Sequence, residues 1–322
     1  MRTCLRMVVP ALLVALLFPM SAVAQSYPEK PVHVIVVFPP GGSNDVVARI
    51  VFTKMEEHLG RQFVIDNRGG AAGTIGATAV ARSEPDGYTV MIQSTTHVAN
   101  AYMYKGKLQY DTLGDFIGVT PLARQVAVLV THPSMPVKTV KELIDLAKKR
   151  PGEINYGSAG LGSFVHLNMA MFLARSGTNM LHVSYKGGGP LAVAMVSGEV
   201  QVTCSTIGSM YPYLKSKRVR PLGVTSRERS PAFPEIPAIS ETIKDYEFTA
   251  WVGSFVPKGT PRPIVDTLNR ELKRVLEDPG VKKLLMNRTL DPMYMTPEQF
   301  AERLKSDYAR YGKLMKQIGV IK

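Results

Sequence analysis

The chain has 322 residues, of which 45% are hydrophobic and 20% charged, and its formal net charge is +13. This profile is typical of a soluble globular protein that buries a core, and the length allows roughly two domains. The positive charge would suit nucleic acid, a membrane surface or anionic ligands. The basic residues are spread along the chain without a motif that reads RNA or DNA, so we predict no nucleic-acid partner.

The first 24 residues have the pattern of a secretory signal peptide. Arg2 and Arg6 precede an apolar run, and small residues close the segment at Ala24. The run is shorter than the ~20 residues of a membrane span, so we expect cleavage after Ala24 and export to the periplasm. A retained N-terminal anchor is the alternative. Removing the two arginines leaves a charge of +11, and Cys204 is then the single cysteine, so an internal disulfide is excluded.

Strands and helices alternate through the first part of the mature chain. The β-branched run Val32–Phe38 predicts a buried strand, and a helix pattern begins near Ser43 or Asn44 and ends at Gly60. Next come a strand, a helix, a turn and a strand, in the segments QFVIDN, GTIGATAVARS, EPDG and YTVMIQS. Such alternation is typical of a parallel sheet covered by helices.

The alternation resumes near Val126 and continues to about residue 225, with a helix cap at Thr139 and a helix end at Gly177. A proline-rich connection follows, and two long helices begin at Thr260 and Thr296. We therefore expect an α/β protein of two lobes, each a mostly parallel sheet flanked by helices. One lobe comprises residues 25–125 and 226–322, the other residues 126–225. The ligand cleft would lie between them.

Three glycine-rich loops share one design, in which a strand ends and a helix begins. They are PPGGSND, GSAGLGS and KGGGP. The first amides of a helix carry partial positive charge, and glycine lets a ligand approach them, so such loops bind anions through backbone N–H groups. Tight turns without a ligand are the alternative for any single loop. Because there is no Asp or Glu from Ile154 to Gly198, an anion would meet no acidic neighbour from this segment.

Motifs for nucleotide binding, metal binding and catalysis are missing from the sequence. GSAGLG fits the dinucleotide fingerprint loosely and lacks its distal acid, and the six histidines show no metal-ligand spacing. We predict no cofactor, no metal and no catalytic residue. Ser163 and His166 share a helix face and could form a catalytic dyad, but capping of the helix by Ser163 is the simpler interpretation. Cys204 lies in an apolar strand and is predicted to be an inert core residue.

Several sequence blocks, in the right order, resemble the substrate-binding receptors of tripartite tricarboxylate transporters, the Bug family. They include VVFPPGGSNDVVAR, INYGSAGLGSFVHL and HVSYKGGGP, and the similarity runs from Tyr27 to Lys322. The resemblance implies a periplasmic binding protein of type II fold. Its two lobes would close on a small organic acid and deliver it to a membrane permease. We expect a monomer.

The resemblance also implies the ligand contacts, because in this family glycine loops hold a ligand carboxylate through backbone amides and ordered water. Carried onto this chain, the contacts are Phe38, Pro40, Gly41, Gly42, Asp45, Ser94, Thr95, Thr96, Ser158, Ala159, Gly162, Ser163, His166, Tyr185, Lys186, Gly187, Thr206 and Ile207. Ala170 and Gln201 stand where the family commonly has acidic residues. This difference disfavours ligands with an amino group and fits a plain mono- or dicarboxylate, aromatic ones included.

The predicted function is therefore a carboxylate receptor that works by lobe closure. One alternative is a periplasmic sensor on the same fold, which would bind the same acid without a permease. The other is a periplasmic enzyme that acts on a carboxylated substrate and uses Ser163, His166 and Asp45.

Overall fold

The computed structural model describes residues 27–185, 188–230, 233–317, 319 and 321. The predicted signal peptide and its cleavage point lie outside these residues, as do the predicted contacts Lys186 and Gly187. Within them the chain forms two β-sheets flanked by helices, which confirms the predicted α/β fold. None of the helices formed by these residues has the length and apolar character needed to cross a bilayer.

The regular elements alternate along most of the described chain. The strands are β1 (Val32–Val36), β2 (Phe63–Asn67), β3 (Thr89–Ser94), β4 (Phe116–Gln125), β5 (Ala127–Thr131), β6 (Asn155–Ser158), β7 (Leu181–Ser184), β8 (Val202–Thr206), β9 (Arg220–Val224), β10 (Ala250–Pro257) and β11 (Leu290–Pro292). The helices are α1 (Ser43–Leu59), α2 (Thr74–Ala81), α3 (Thr96–Met103), α4 (Val140–Lys149), α5 (Phe164–Ser176), α6 (Gly188–Ser197), α7 (Ile207–Lys215), α8 (Arg262–Glu277), α9 (Pro279–Met286) and α10 (Pro297–Gln317).

Both sheets are mixed, whereas the sequence pattern predicted mostly parallel ones. Over the described residues the first sheet has the order β11-β4-β10-β3-β1-β2 and the second β7-β6-β8-β5-β9. β1 runs parallel to β2 and β3, and β6 runs parallel to β7 and β8. β10, which enters from the second lobe, lies between β3 and β4 and runs against both. β5, which enters from the first lobe, runs against both β8 and β9 in the same way.

The two crossings between the lobes lie side by side. The Thr225 amide donates to the Ala127 carbonyl oxygen and the Phe248 amide donates to the Thr225 carbonyl oxygen, both at 2.9 Å. The segment between β9 and β10 packs on the second lobe, where the Tyr246 hydroxyl donates to the Asn168 carbonyl oxygen. These contacts show that the segment up to Phe248 lies beside the second lobe; the lobe boundary at residue 226 stays a prediction.

The packing of α1 determines where its first turn lies. Val47, Val51, Phe52 and Met55 recur at helical spacing on one face of α1, and all four are fully buried. They belong to the apolar core that also contains β1 and the inner face of α8. Because α1 follows β1 directly and packs back on the sheet, its N-terminus lies at the carboxyl end of β1, where α/β proteins commonly bind ligands.

Cys204 in β8 is fully buried, as predicted for an inert core residue. Its burial raises the pKa of the thiol, which makes the reactive thiolate scarce.

Candidate functional site

The first glycine loop joins β1 to α1 and is anchored by a buried carboxylate. Asp45 accepts hydrogen bonds from the Gly41 amide (2.9 Å) and the Asn67 side chain (3.0 Å), and it pairs with Arg49 (3.0 Å). Asn67 also donates to the Phe38 carbonyl oxygen at 3.0 Å. Burial alone would raise the pKa of Asp45, but the hydrogen bonds from Arg49, Gly41 and Asn67 together lower it. Asp45 is thus an ionised anchor that holds the loop in place.

The start of α1 is open to a ligand. Its N-cap is Gly42, and no side chain in the described part of the chain caps this helix end. The helix begins at Ser43, within the predicted start at Ser43 or Asn44, and the left-handed turn at Gly41 (φ 81°) puts a glycine rather than a polar side chain at the cap position. The first backbone N–H groups of α1 therefore keep their hydrogen-bonding capacity and partial positive charge.

The second glycine loop joins β6 to α5 and bonds to itself. The Gly160 amide donates to Ser158 Oγ (3.2 Å), the Gly162 amide to His166 Nδ1 (3.1 Å) and the Ser163 amide to the Gly160 carbonyl oxygen (3.1 Å). Ser163 Oγ accepts from the His166 amide at 3.2 Å, which confirms Ser163 as the cap of α5. These bonds fix the shape of the loop before any ligand arrives.

Two stacked histidines lie next to the second loop. The ring centroids of His166 and His182 are 4.4 Å apart, and His182 also stacks on Tyr156 and shares a 2.7 Å hydrogen bond with Ser158 Oγ. Burial, and then the neighbouring His182 ring, lowers the pKa of His166 to about 4. Because its Nδ1 already accepts a backbone hydrogen bond, His166 is a poor general base for Ser163. The contacts favour a structural role for both residues.

A cleft of about 780 Å³ lies between the lobes. Its wall includes both glycine loops, the start of α1, part of α3 and the ends of β4 and β8. None of the described residues along this wall is charged, so an anion there would meet backbone dipoles, amides and hydroxyls. The lobes touch across the cleft at Gly162, where an added Cβ would lie 2.8 Å from the Met103 methyl carbon.

Half of the predicted ligand contacts line this cleft. They are Phe38, Pro40, Gly42, Ser94, Thr96, Ala159, Gly162, Ser163 and Thr206. Gly41 instead lines an adjoining cavity.

The other described predictions lie outside the wall, each for a physical reason. Asp45, Ser158 and His166 hold the glycine loops through the hydrogen bonds given above. Ile207 and Thr95 are almost fully buried, with 1% and 2% of their surface exposed. The Tyr185 hydroxyl donates to Glu199 at 2.8 Å.

The cleft wall also contains residues that sequence reasoning missed. The main ones are Asn44, Ala72, Asn100, Met103, Tyr104, Gln125 and Leu161. Asn100 is 1% exposed and donates to the Ala72 carbonyl oxygen at 2.9 Å, which joins α3 to the loop after β2. A polar residue amid the apolar residues of α3 was the signal that could have found it.

Fold and site together define a class of protein, the two-lobed solute-binding proteins. Two sheets joined by two crossings enclose an uncharged cleft, and an open helix N-terminus faces it, which suits a small anion. Among the described residues, no three histidine, cysteine, aspartate or glutamate side chains are grouped so as to hold a metal ion. Residues 47–320 match the family described as tripartite tricarboxylate transporter family receptor, and the chain belongs to this family of periplasmic receptors.

Individual relatives agree with this assignment. The chain is 37% identical over 292 residues to a Pseudomonas sp. (strain P51) protein encoded in the tcbD-tcbE intergenic region, covering 90% of this chain and 87% of that one. An R. palustris protein solved with adipate is 34% identical, with a TM-score of 0.83 over 91% of this chain and 98% of that one. MatC from Rhodopseudomonas palustris, solved with bound malate, is 29% identical, with a TM-score of 0.77 over 89% and 99% of the two chains.

Proposed function

We propose that this protein is a periplasmic receptor that captures a small organic carboxylate between its lobes and delivers it to a tripartite tricarboxylate-type permease. The single observation that carries the proposal is the uncapped start of α1 at the uncharged cleft. A carboxylate there accepts hydrogen bonds from backbone N–H groups and is stabilised by the helix dipole. The relatives solved with adipate and malate support a carboxylate as the ligand class.

The proposal involves binding and release without a chemical step. The enzyme alternative needs Ser163 as nucleophile and His166 as base, but Ser163 Oγ serves as the helix cap and His166 Nδ1 accepts the Gly162 amide. The second loop, whose shape is fixed by its own hydrogen bonds, contacts Met103 of α3 across the cleft. A ligand held between the loop and α3 therefore favours the closed arrangement of the lobes. We propose that the receptor acts as a monomer, is exported by its N-terminal segment and needs no cofactor or nucleic acid.

The test uses the N-cap position itself. Gly42 has φ −74° and ψ 165°, which any residue adopts, and an added Cβ would meet only the Pro39 carbonyl oxygen at 3.6 Å. An aspartate is a favoured N-cap, so Gly42→Asp places a carboxylate of the protein where the ligand carboxylate would bind. Gly42→Ala is the matched control, because it adds the same Cβ without an acceptor.

A thermal-shift and calorimetric screen over mono- and dicarboxylates reads out both variants. A ligand at 100 times its dissociation constant adds about 2.7 kcal/mol to the wild-type stability. We expect Gly42→Asp to fold at least as stably as wild type and to bind no carboxylate, while Gly42→Ala still binds. Equal binding by wild type and Gly42→Asp would exclude the α1 site. Consumption of the bound acid by the purified protein would favour the enzyme alternative.

A further inference from the structure

A second cavity of about 460 Å³ adjoins the cleft, and we call it the rear cavity. The two spaces share wall residues, among them Gly42, Gln125 and Thr206. The turn between α9 and β11 also lines the rear cavity and packs on the start of α7, since a Cβ added to Gly208 would lie 3.1 Å from the Arg288 carbonyl oxygen. The two spaces are therefore neighbours that share part of one wall.

The rear cavity differs from the cleft in its charge. Arg288 is the one charged residue that the structure describes on the wall of the rear cavity. Its side chain is exposed, and no ion pair to its guanidinium occurs within the described chain. Other arginines are paired with acids: Arg124, next to Gln125 in β4, pairs with Asp291, and Arg274 in α8 pairs with Glu271, both at 2.8 Å. Arg288 thus presents an unneutralised positive charge with planar donor geometry that matches a carboxylate.

The start of α7 adds hydrogen-bond donors to the same wall. Thr206 is its N-cap, yet across the described residues no side chain caps this helix end. The hydroxyls of Ser205 and Thr206 lie 3.0 and 2.9 Å from Ser209 Oγ, which itself donates to the Thr206 carbonyl oxygen, and the Ile207 amide donates to the Val126 carbonyl oxygen. The donors that α7 offers a ligand are therefore the other backbone amides of its first turn. The rear cavity is therefore bordered by the uncapped ends of both α1 and α7.

Gln125 provides an independent indication of a ligand. Its side chain is 5% exposed and lines both cavities, and its Nε2 is shut off from solvent with no hydrogen-bond partner among the residues described. Buried amide donors in native proteins nearly always have an acceptor, because a buried donor without a hydrogen bond lowers the stability of the fold. A ligand oxygen between the cavities would supply the missing acceptor once the Gln125 amide turns towards it.

We propose that the rear cavity is a second anion subsite, so that the ligand is an extended dicarboxylate. One carboxylate binds at the start of α1, the carbon chain passes Gln125, and the far carboxylate pairs with Arg288 and the donors of α7. This inference rests on the proposed function and narrows it to a substrate class. It assigns chain-length and charge selectivity to Arg288 and Gln125.

The experiment compares diacids with monoacids of equal length by titration calorimetry. The probes are succinate with butyrate, adipate with hexanoate, and suberate with octanoate. In wild type we expect one diacid to bind about tenfold or more tighter than its monoacid partner, as a charge-assisted pair allows. Arg288→Met should remove this preference and leave the monoacid affinity unchanged. Lys282→Met removes an exposed charge from α9 outside both cavities and should change neither affinity.

A Gln125→Leu variant separates ligand binding from a purely structural role. The leucine has a similar size and removes the unpartnered donor, so the unliganded melting temperature should stay equal or rise while diacid binding weakens. A lower melting temperature with unchanged binding would show that Gln125 serves the fold alone, which overturns its assigned role. A diacid preference that survives Arg288→Met, or its absence in wild type while monoacids bind, overturns the subsite. If no acid of either kind binds, the proposed function itself fails.

Discussion

Closure of the lobes can be weakened by one methyl group at Gly162. Gly162 has φ 73°, and a Cβ added there would lie 2.8 Å from Cε, 3.0 Å from Sδ and 3.1 Å from Cγ of Met103. Gly162 belongs to the second lobe and Met103 to α3 of the first lobe, so this contact exists only when the lobes meet. Gly162→Ala therefore has a backbone cost in every state and a packing cost in the closed state alone.

The two costs have different magnitudes and different readouts. An alanine in the left-handed region loses roughly 1 kcal/mol of folding stability whether or not ligand is present. Crowding of the Met103 thioether costs about 1 to 3 kcal/mol, with the lower end favoured because a methionine side chain can rearrange. Since about 1.4 kcal/mol is a factor of ten in affinity, we expect binding to weaken by about tenfold.

Two further variants isolate the contact. Gly177→Ala has a similar backbone cost, because Gly177 has φ 62° at the other end of α5, but nothing lies within 4 Å of its added Cβ. It should lower the melting temperature as Gly162→Ala does and leave affinity unchanged. Met103→Ala in the Gly162→Ala background should restore binding, measured by titration with the tightest acid of the screen. Persistent weak binding by the double variant would refute the closure contact.

Three further predictions concern the loop anchor, the core and the cleft wall. Asp45→Asn removes the carboxylate that holds the first loop and should cost about 2 kcal/mol in urea unfolding, with weaker ligand binding. An unchanged unfolding midpoint would contradict this role. Burial lowers the pKa of His97 from 6.5 to about 4, so the folded protein resists protonation of this ring. The contribution of the neutral ring to stability is fully present above pH 6.5, and the free energy of unfolding falls by about 3 kcal/mol as the pH drops to 4. His166 contributes a similar slope, so unfolding measured across this pH range should remain pH-dependent in His97→Phe but lose less stability towards pH 4 than wild type does. Ala72 has φ 55°, so Ala72→Gly should raise the unfolding free energy by about 1 kcal/mol, and a lower melting temperature would argue against strain there.

The sequence predicted the local parts of the site well, because those parts depend on neighbouring residues. A strand followed by glycines and a helix pattern correctly gave the two loops and the starts of α1 and α5, and Ser163 is the cap that its spacing to His166 suggested. The sequence did not show how the loop amides are used. The Gly41 and Gly162 amides, which look available in the sequence, already donate to Asp45 and His166.

Long-range parts of the site had no signal in the sequence. Gln125 lies just before the strand predicted near Val126, and Arg288 lies far along the chain from it. They line the same cavity because β11 pairs with β4, with Leu290 opposite Gln125. Alternation of strands and helices likewise predicts parallel sheets. It does not show that β5 and β10, which each cross from one lobe to the other, run antiparallel to their neighbours.

The position of Gln125 connects the proposed binding mode with lobe closure. Gln125 is the last residue of β4, at the first crossing between the lobes. Ala127 at the start of β5 exchanges hydrogen bonds with the side chain and amide of Thr225, which keeps the second crossing beside the first. Rotation of the lobes about this pair of crossings displaces residues in proportion to their distance from it. Gln125 and its neighbours therefore move least, whereas the contact of Gly162 with Met103 is made or broken. We expect a diacid to bind Gln125 and the start of α1 first. It then favours the closed state, because groups of the second lobe, such as the start of α7, contact the diacid only after the lobes have closed.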